Sequence, residues 1–116
     1  MEPTPGVRRA LVTHAILTGL QELGGRADRA DVLDRATQLA GFTGNEMSPN
    51  KTGEARHMVA LQRGASRLAS AGWIRRERGP WSITDAGIRA LESLDVDALH
   101  VEMNRLDAVA RGVRAG

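Results

Sequence analysis

The spacing of apolar residues changes at Gly72, where a helical pattern gives way to two strand-like segments, and this change limits the folds that the chain can adopt. Upstream, apolar residues recur every three to four positions, as on one face of an α-helix. Downstream, two short segments, Trp73–Glu77 and Trp81–Thr84, are typical of strands and flank the turn-forming residues 78–80. The sequence therefore predicts helices followed by a β-hairpin, in a chain of 116 residues that suffices for one domain.

Three segments before the hairpin have the helical period: Val7–Leu23, Arg29–Leu39 and Glu54–Ala71. Gly24 and Gly41 follow the first two, and glycine readily adopts the left-handed conformation that ends a helix. Residues 1–6 are polar and contain two prolines, so we expect a disordered lead there. Residues 42–53 show no periodicity and are predicted to form a loop.

A fourth helix is predicted directly after the hairpin, with Thr84 or Asp85 as its N-cap residue. Its inner face is formed by apolar residues at helical spacing: Ile88, Leu91 and Leu94. We therefore expect a mainly α-helical fold with a small β-hairpin, as one domain over residues 7–95. Three helices followed directly by a hairpin are the order of a winged helix-turn-helix, whose third helix enters the major groove of DNA while the hairpin, or wing, touches the backbone.

The remaining segment, residues 96–116, is predicted to be an added C-terminal helix. It carries an apolar seam at alternating spacings of four and three: Leu99, Met103, Leu106, Ala110 and Val113. Two heptads are too short for a stable coiled coil by themselves. The seam therefore either packs on the first helix of its own chain or pairs with a second copy, and we predict a homodimer interface at these five residues.

Composition excludes several classes of function. The chain contains no cysteine, which excludes disulfides, thiolate metal sites and a cysteine nucleophile and makes the cytoplasm the default location. No apolar run approaches the roughly 18 to 20 residues that span a bilayer, and the N-terminus lacks the apolar stretch of a signal peptide. His14, His57 and His100 are too scattered to suggest a metal site, and no phosphate loop or nucleophile motif is present. We expect no enzyme activity and no cofactor.

Positive charge is concentrated in one stretch, Lys51–Arg78. This stretch holds seven basic residues against two acids, a net charge of +5, so the remainder of the chain carries −3 of the total of +2. A local basic block on a mildly acidic body is typical of a surface that meets phosphate. An ordinary solvated face would look the same on charge alone.

Within this block, the third helix carries the strongest candidates for DNA contact. Arg56, Arg63 and Arg67 share one side of it, and their guanidinium groups can bind a guanine edge or a phosphate. The small Ala60 between them leaves room for bases, and the N-terminal half would enter the groove. The hairpin arginines suit phosphate contact, although they also suit a charged edge that discourages strand pairing. The residues predicted to contact DNA are Lys51, Thr52, Arg56, His57, Ala60, Arg63, Arg67, Arg75, Arg76 and Arg78.

Two further features near this block have competing interpretations. Trp73 and Trp81 could stack on bases, but they flank the hairpin and are predicted to lie in the core. Lys51 and Thr52 precede the third helix, where they could contact phosphate together with backbone N–H groups. A disordered loop is an equally good interpretation of that segment.

Residues 17–94 resemble the N-terminal winged-helix domain of Mrr-type restriction endonucleases. The matching segments are Leu23–Gly25, Arg29–Asp34, Leu68–Ile74 and Arg78–Gly87, together with the polar loop before the third helix. The resemblance implies DNA binding by this domain, with cutting done by a separate nuclease domain for which this sequence has no room. The metal-dependent motif of those nucleases needs an acid two residues before a lysine, but Lys51 is the only lysine and residue 49 is proline.

The sequence therefore predicts a binder of double-stranded DNA that acts in transcriptional regulation or in restriction-type or phage-type DNA processing. The alternative is a winged-helix adaptor that binds another protein, with the seam from Leu99 to Val113 as its working surface.

Overall fold

The computed structural model describes residues 2–77 and 79–112. Within them the chain forms five helices and three short strands: α1 (Pro5–Glu22), β1 (Arg26–Ala27), α2 (Arg29–Ala40), α3 (Arg56–Ser70), β2 (Ile74–Arg75), β3 (Trp81–Ile83), α4 (Asp85–Ser93) and α5 (Val96–Ala110). A mainly helical fold with a small hairpin is confirmed.

The three strands form an antiparallel sheet in the order β1-β3-β2. Arg26 of β1 lies opposite Ser82, and Ile74 of β2 lies opposite Ile83. The backbone N–H of Ile83 also donates to the Gly25 carbonyl at 2.9 Å, which ties the turn after α1 to the central strand. Strand β1 was not predicted, because two residues are too few to show an alternating pattern.

Helix α1 begins earlier than its apolar pattern indicates. The Thr4 hydroxyl accepts a hydrogen bond from the N–H of Val7 at 3.4 Å, and Pro5 occupies the first turn, where its missing N–H costs nothing. The prediction that residues 1–6 form a disordered lead is therefore wrong for Pro5 and Gly6, which belong to this helix. Met1 lies outside the described residues.

The segment between α2 and α3 is an ordered loop. Gly41 ends α2 in the left-handed conformation, with φ of 63°. Further on, the Asn50 side-chain oxygen accepts hydrogen bonds from the N–H groups of Thr52 and Glu54 at 2.9 and 3.0 Å. Pro49 pairs with Ala55 across this turn, so α3 begins at Arg56, two residues later than predicted.

The core surrounds α1, which packs against all four other helices and against β3. Ile16, Leu17 and Leu20 on α1 are fully buried. Trp73 and Trp81 are only 3% and 5% exposed, which confirms that they pack in the core rather than offer faces for base stacking.

A close backbone contact fixes α4 against the start of the hairpin. The Thr84 hydroxyl caps α4 by accepting from the N–H of Gly87 at 3.1 Å, and it donates to the Gly72 carbonyl at 2.7 Å. A Cβ atom added at Gly87 would lie 2.3 Å from the carbonyl oxygen of Trp73. Thr84 therefore supplies the cap of α4, and Gly87, three residues later, lies in a contact that has no room for a side chain.

Helix α5 packs on α1 and α3 of its own chain. Leu99 and Met103 are fully buried in the core, and Leu106 is half-buried against it. The prediction of a homodimer interface is therefore wrong for Leu99 and Met103, because the seam meets α1 and leaves these side chains no free surface. Ala110 is exposed at the end of α5, and Val113 lies outside the described residues. None of the helices in residues 2–77 and 79–112 is long and apolar enough to cross a bilayer.

Candidate nucleic-acid interface

Helix α3 has a buried side and an open side. Leu61, Ala65 and Leu68 are fully buried, at the three-to-four-residue spacing of one helix face. On the open side, the first eight residues of α3 include three exposed polar residues: Arg56, Gln62 and Arg63. Arg67, Ser66 and Val59 are half-buried at its margins. Side chains that can bind bases or phosphate therefore stand together on the open side.

A cleft separates α3 from the N-terminal half of α1. The helices approach closely at Gly64, where an added Cβ would lie 2.9 Å from Cγ1 of Val12. Beside this contact is a cavity of about 260 Å³. Its lining residues are Pro5, Arg8, Arg9, Val12, Ala60, Arg63, Gly64 and Arg67, and we call this cavity the α1–α3 cleft.

One arginine of the cleft is locked in place. Arg8 is only 8% exposed, and its Nε and Nη2 atoms each donate to Glu46 at 2.6 Å, while Nη1 donates to the Ala40 carbonyl at 2.6 Å. Its guanidinium group also lies 4.7 Å from the centre of the Phe42 ring. Burial by itself raises the pKa of Glu46, but hydrogen bonds from the Thr43 backbone and from Arg8 bring this pKa below its ordinary value. Arg8 therefore fixes the wall of the cleft.

The other three arginines of the cleft are not neutralised in this way. Within residues 2–77 and 79–112, Arg9, Arg63 and Arg67 form no ion pair. The negative charge of Asp107 on α5 attracts Arg67 at a distance. The Asp107 carboxylate itself accepts a hydrogen bond from Nε of Arg111 at 2.7 Å. Among the described residues, the cleft thus keeps three guanidinium groups that form no ion pair, of which Arg67 lies in the field of Asp107.

Neighbouring titratable groups respond to this charge. Burial is the main cause that lowers the pKa of His100, and the positive charges of Arg67 and Arg9 lower it further. Burial alone would raise the pKa of Asp107, but hydrogen bonds from Arg111 and Ser70 lower it below its usual range. The arginines at the edge of the cleft therefore add to a lowering of the His100 pKa that burial mainly causes.

A second group of arginines borders α3 on the other side. Arg75 and Arg76 of the hairpin are exposed and share an open depression with Arg29, Glu77 and Ala69 of α3. The Arg76 guanidinium lies 5.8 Å from the centre of the Trp81 ring. Arg78 lies outside the described residues.

The remaining predicted contacts are placed differently. Lys51 and Thr52 are exposed at the tip of the ordered loop, where the Thr52 hydroxyl donates to the Asn50 side chain at 2.7 Å. His57 is half-buried with its ring 5.3 Å from that of Phe42, off the open side of α3. Ala60 lines the α1–α3 cleft together with Arg63, and on its other side it lies next to Arg56.

Sequence reasoning did not identify Arg9, Arg29 or Gln62 as site residues. Arg9 joins the cleft only because α1 crosses α3 at Gly64, and the small residues Ala60 and Gly64, four positions apart, were the available signal for that close crossing. Gln62 is uncharged, so the pattern of basic residues that indicated Arg63 does not include it.

No model of a protein family, no curated protein and no solved structure matches this chain. The resemblance to Mrr-type winged-helix domains stays a prediction. Among the described residues, no three histidine or acidic side chains lie close enough together to hold a metal ion.

Proposed function

We propose that this protein binds double-stranded DNA as a winged helix, with the open side of α3 in the major groove and the hairpin on the backbone. The chain order supports the architecture, since α3 leads directly into the hairpin formed by β2 and β3. Strand β1, between α1 and α2, pairs with β3 and secures the hairpin to the helices.

The observation that carries the proposal is the distribution of arginines around α3. Arg9 and Arg67 border its open side next to α1, and Arg29 and Arg75 border it next to the hairpin. A helix in the major groove has a phosphate chain on either side of it. Cations on both sides of an exposed helix therefore match the charge pattern of a duplex better than that of a single anionic ligand.

The open side of α3 also carries groups that can distinguish bases. Arg56 and Arg63 can donate in pairs to the O6 and N7 atoms of guanine, and Gln62 can pair with adenine in the same way. Both exposed arginines lie in the N-terminal two-thirds of α3, away from Ser70 at its C-terminal end, which bonds to Asp107 of α5. This N-terminal part of α3 is the part that we expect to read the base sequence.

The adaptor alternative depended on the seam of α5. Because Leu99 and Met103 are fully buried in the same chain, that seam offers a second protein little surface. The resemblance to Mrr-type domains suits a role in transcriptional regulation or in restriction-type or phage-type DNA processing, without cutting by this chain.

One substitution on each side of α3 tests the proposal. Arg63→Gln removes a cation from the helix and Arg75→Gln removes one from the hairpin, while Arg89→Gln on α4 is a control with the same loss of charge. We expect each test variant to weaken binding of a short duplex about tenfold and the double variant about a hundredfold, by fluorescence anisotropy at about 50 mM salt. The control should change the dissociation constant less than about twofold.

Two results would overturn the proposal. The wild-type protein could fail to bind any duplex at low salt. Alternatively, Arg89→Gln could weaken binding as much as Arg63→Gln, which would indicate attraction by net charge rather than by this face.

A further inference from the structure

We propose that the α1–α3 cleft is a binding site for a phosphate group, held by Arg9, Arg63 and Arg67. This inference goes beyond the proposed function, because the cleft can hold a phosphate group whether or not α3 enters a DNA groove. The phosphate can belong to a nucleic-acid backbone or to a free phosphate ester, and the chemistry of recognition is the same.

The shape of the cleft supports this assignment. Its cavity of about 260 Å³ has small or apolar groups at Val12, Ala60 and Gly64, with guanidinium groups from two helices around them. A guanidinium group can donate two parallel hydrogen bonds to the oxygens of a phosphate, and three such groups around one cavity can surround a tetrahedral anion. Ordinary solvated arginines on a convex helix face have no such enclosure.

The charge balance of the cleft supports an anion of more than one charge. Of the four arginines that line it, only Arg8 bonds to a carboxylate of the described residues, that of Glu46. Among the residues that the structure describes, none of those lining the cleft is acidic. The depression on the hairpin side differs in this respect, because Glu77 lines it together with its arginines.

The first turn of α1 adds to the same potential. Pro5, its first residue, lines the cleft, and this turn contains no acidic residue to offset the positive end of the helix dipole. The ion pair of Arg8 with Glu46 holds α1 against the loop that follows α2. The cleft is therefore preorganised, which lowers the entropic cost of ordering it around a ligand.

Titration with inorganic pyrophosphate at constant ionic strength, followed by NMR of the backbone amides, tests the site. Arg9→Gln removes one of the three guanidinium groups, and Ala60→Leu fills the cavity while keeping every arginine. Arg75→Gln on the hairpin is the control with matched charge. Thermal unfolding of each variant establishes that it is folded, and Arg9→Gln, at an exposed position, keeps the test decisive if Ala60→Leu unfolds.

We expect saturable shifts confined to the facing parts of α1 and α3. Arg9→Gln and Ala60→Leu should each weaken pyrophosphate binding about tenfold or more, and Arg75→Gln less than about twofold. Shifts that do not saturate, or equal weakening by Arg75→Gln and Arg9→Gln, would overturn the site and leave only general attraction of anions.

Duplex binding by the same variants identifies the source of the phosphate. If DNA displaces pyrophosphate and Arg9→Gln weakens both ligands in parallel, the nucleic-acid backbone supplies it. If Arg9→Gln leaves duplex affinity unchanged, the ligand is a free phosphate ester. If the wild-type protein binds pyrophosphate in the cleft but no duplex, the site stands and the proposed DNA binding fails.

Discussion

The crossing of α1 and α3 and the base of the hairpin both depend on a glycine, but the two contacts differ in kind. At the crossing, Gly64 faces a side chain, Val12, and the helices leave an open cleft beside the contact. At the hairpin base, Gly87 faces the backbone carbonyl of Trp73, and Thr84 closes the contact with hydrogen bonds on both sides. Side chains can shift by tenths of an ångström, whereas the Trp73 backbone is held by hydrogen bonds from the Thr84 N–H and to the Leu68 carbonyl.

This difference separates a contact fixed by backbone atoms from one whose side chains can adjust. The hairpin base sets the position of the wing relative to the core. The crossing instead leaves room between two helices, and three of the arginines that line it form no ion pair with any described residue. We infer that side chains at the crossing can adjust around a bound anion inside a wall that Arg8 and Glu46 hold in place, while the hairpin acts as a fixed support.

The largest expected effect is on the hairpin base. Gly87→Ala should lower the free energy of unfolding by about 3 kcal/mol or more, because its Cβ must displace backbone. Gly64→Ala should stay within about 1 kcal/mol of wild type, since helix propensity gained at an internal position offsets a strained side-chain contact. Urea unfolding of both variants measures the difference, and equal losses would contradict the distinction between the two contacts.

A smaller effect is expected at the wall of the cleft. Glu46→Gln leaves the Arg8 guanidinium buried without a countercharge, and we expect a loss of about 2 kcal/mol in the free energy of unfolding. Glu22→Gln is the control, since its pair with Arg35 has side chains 40% exposed and should contribute less than about 0.5 kcal/mol. A loss at Glu46 no larger than at Glu22 would show that Arg8 does not fix the wall.

The smallest effect is a dependence on pH. The pKa of His100 lies below 6.5 in the folded state, so the unfolded chain binds more protons between the two values. Stability should therefore be at its full value above pH 6.5 and fall as pH decreases through the folded pKa. His100→Gln should flatten this part of the profile of unfolding free energy against pH. An unchanged slope in the variant would assign the effect to another group.

Local signals in the sequence predicted the framework well. Each of these signals depends on residues close in the chain. As predicted, Trp73 and Trp81 beside the turn are buried, Gly41 ends α2, and Thr84 caps α4. The helical period also located α1, α2 and α3 to within two residues of their ends.

Contacts between distant segments could not be predicted in the same way. Arg8 and Glu46 are 38 residues apart, and no pattern in either segment marks them as partners. The seam of α5 shows an apolar face but not its occupant, and of the two occupants that the pattern allows, α1 rather than a second copy covers Leu99 and Met103. Arg9 belongs to the candidate site only through the crossing of two helices.

The dependence of duplex binding on salt tests the central claim most directly, because it counts the phosphates that the protein neutralises. With about five unpaired arginines in contact with phosphate, the logarithm of the association constant should fall against the logarithm of salt concentration with a slope of about −4 to −5. The double variant of Arg63 and Arg75 should reduce the size of that slope by about 2. A slope near zero, or one that the double variant leaves unchanged, would contradict the account.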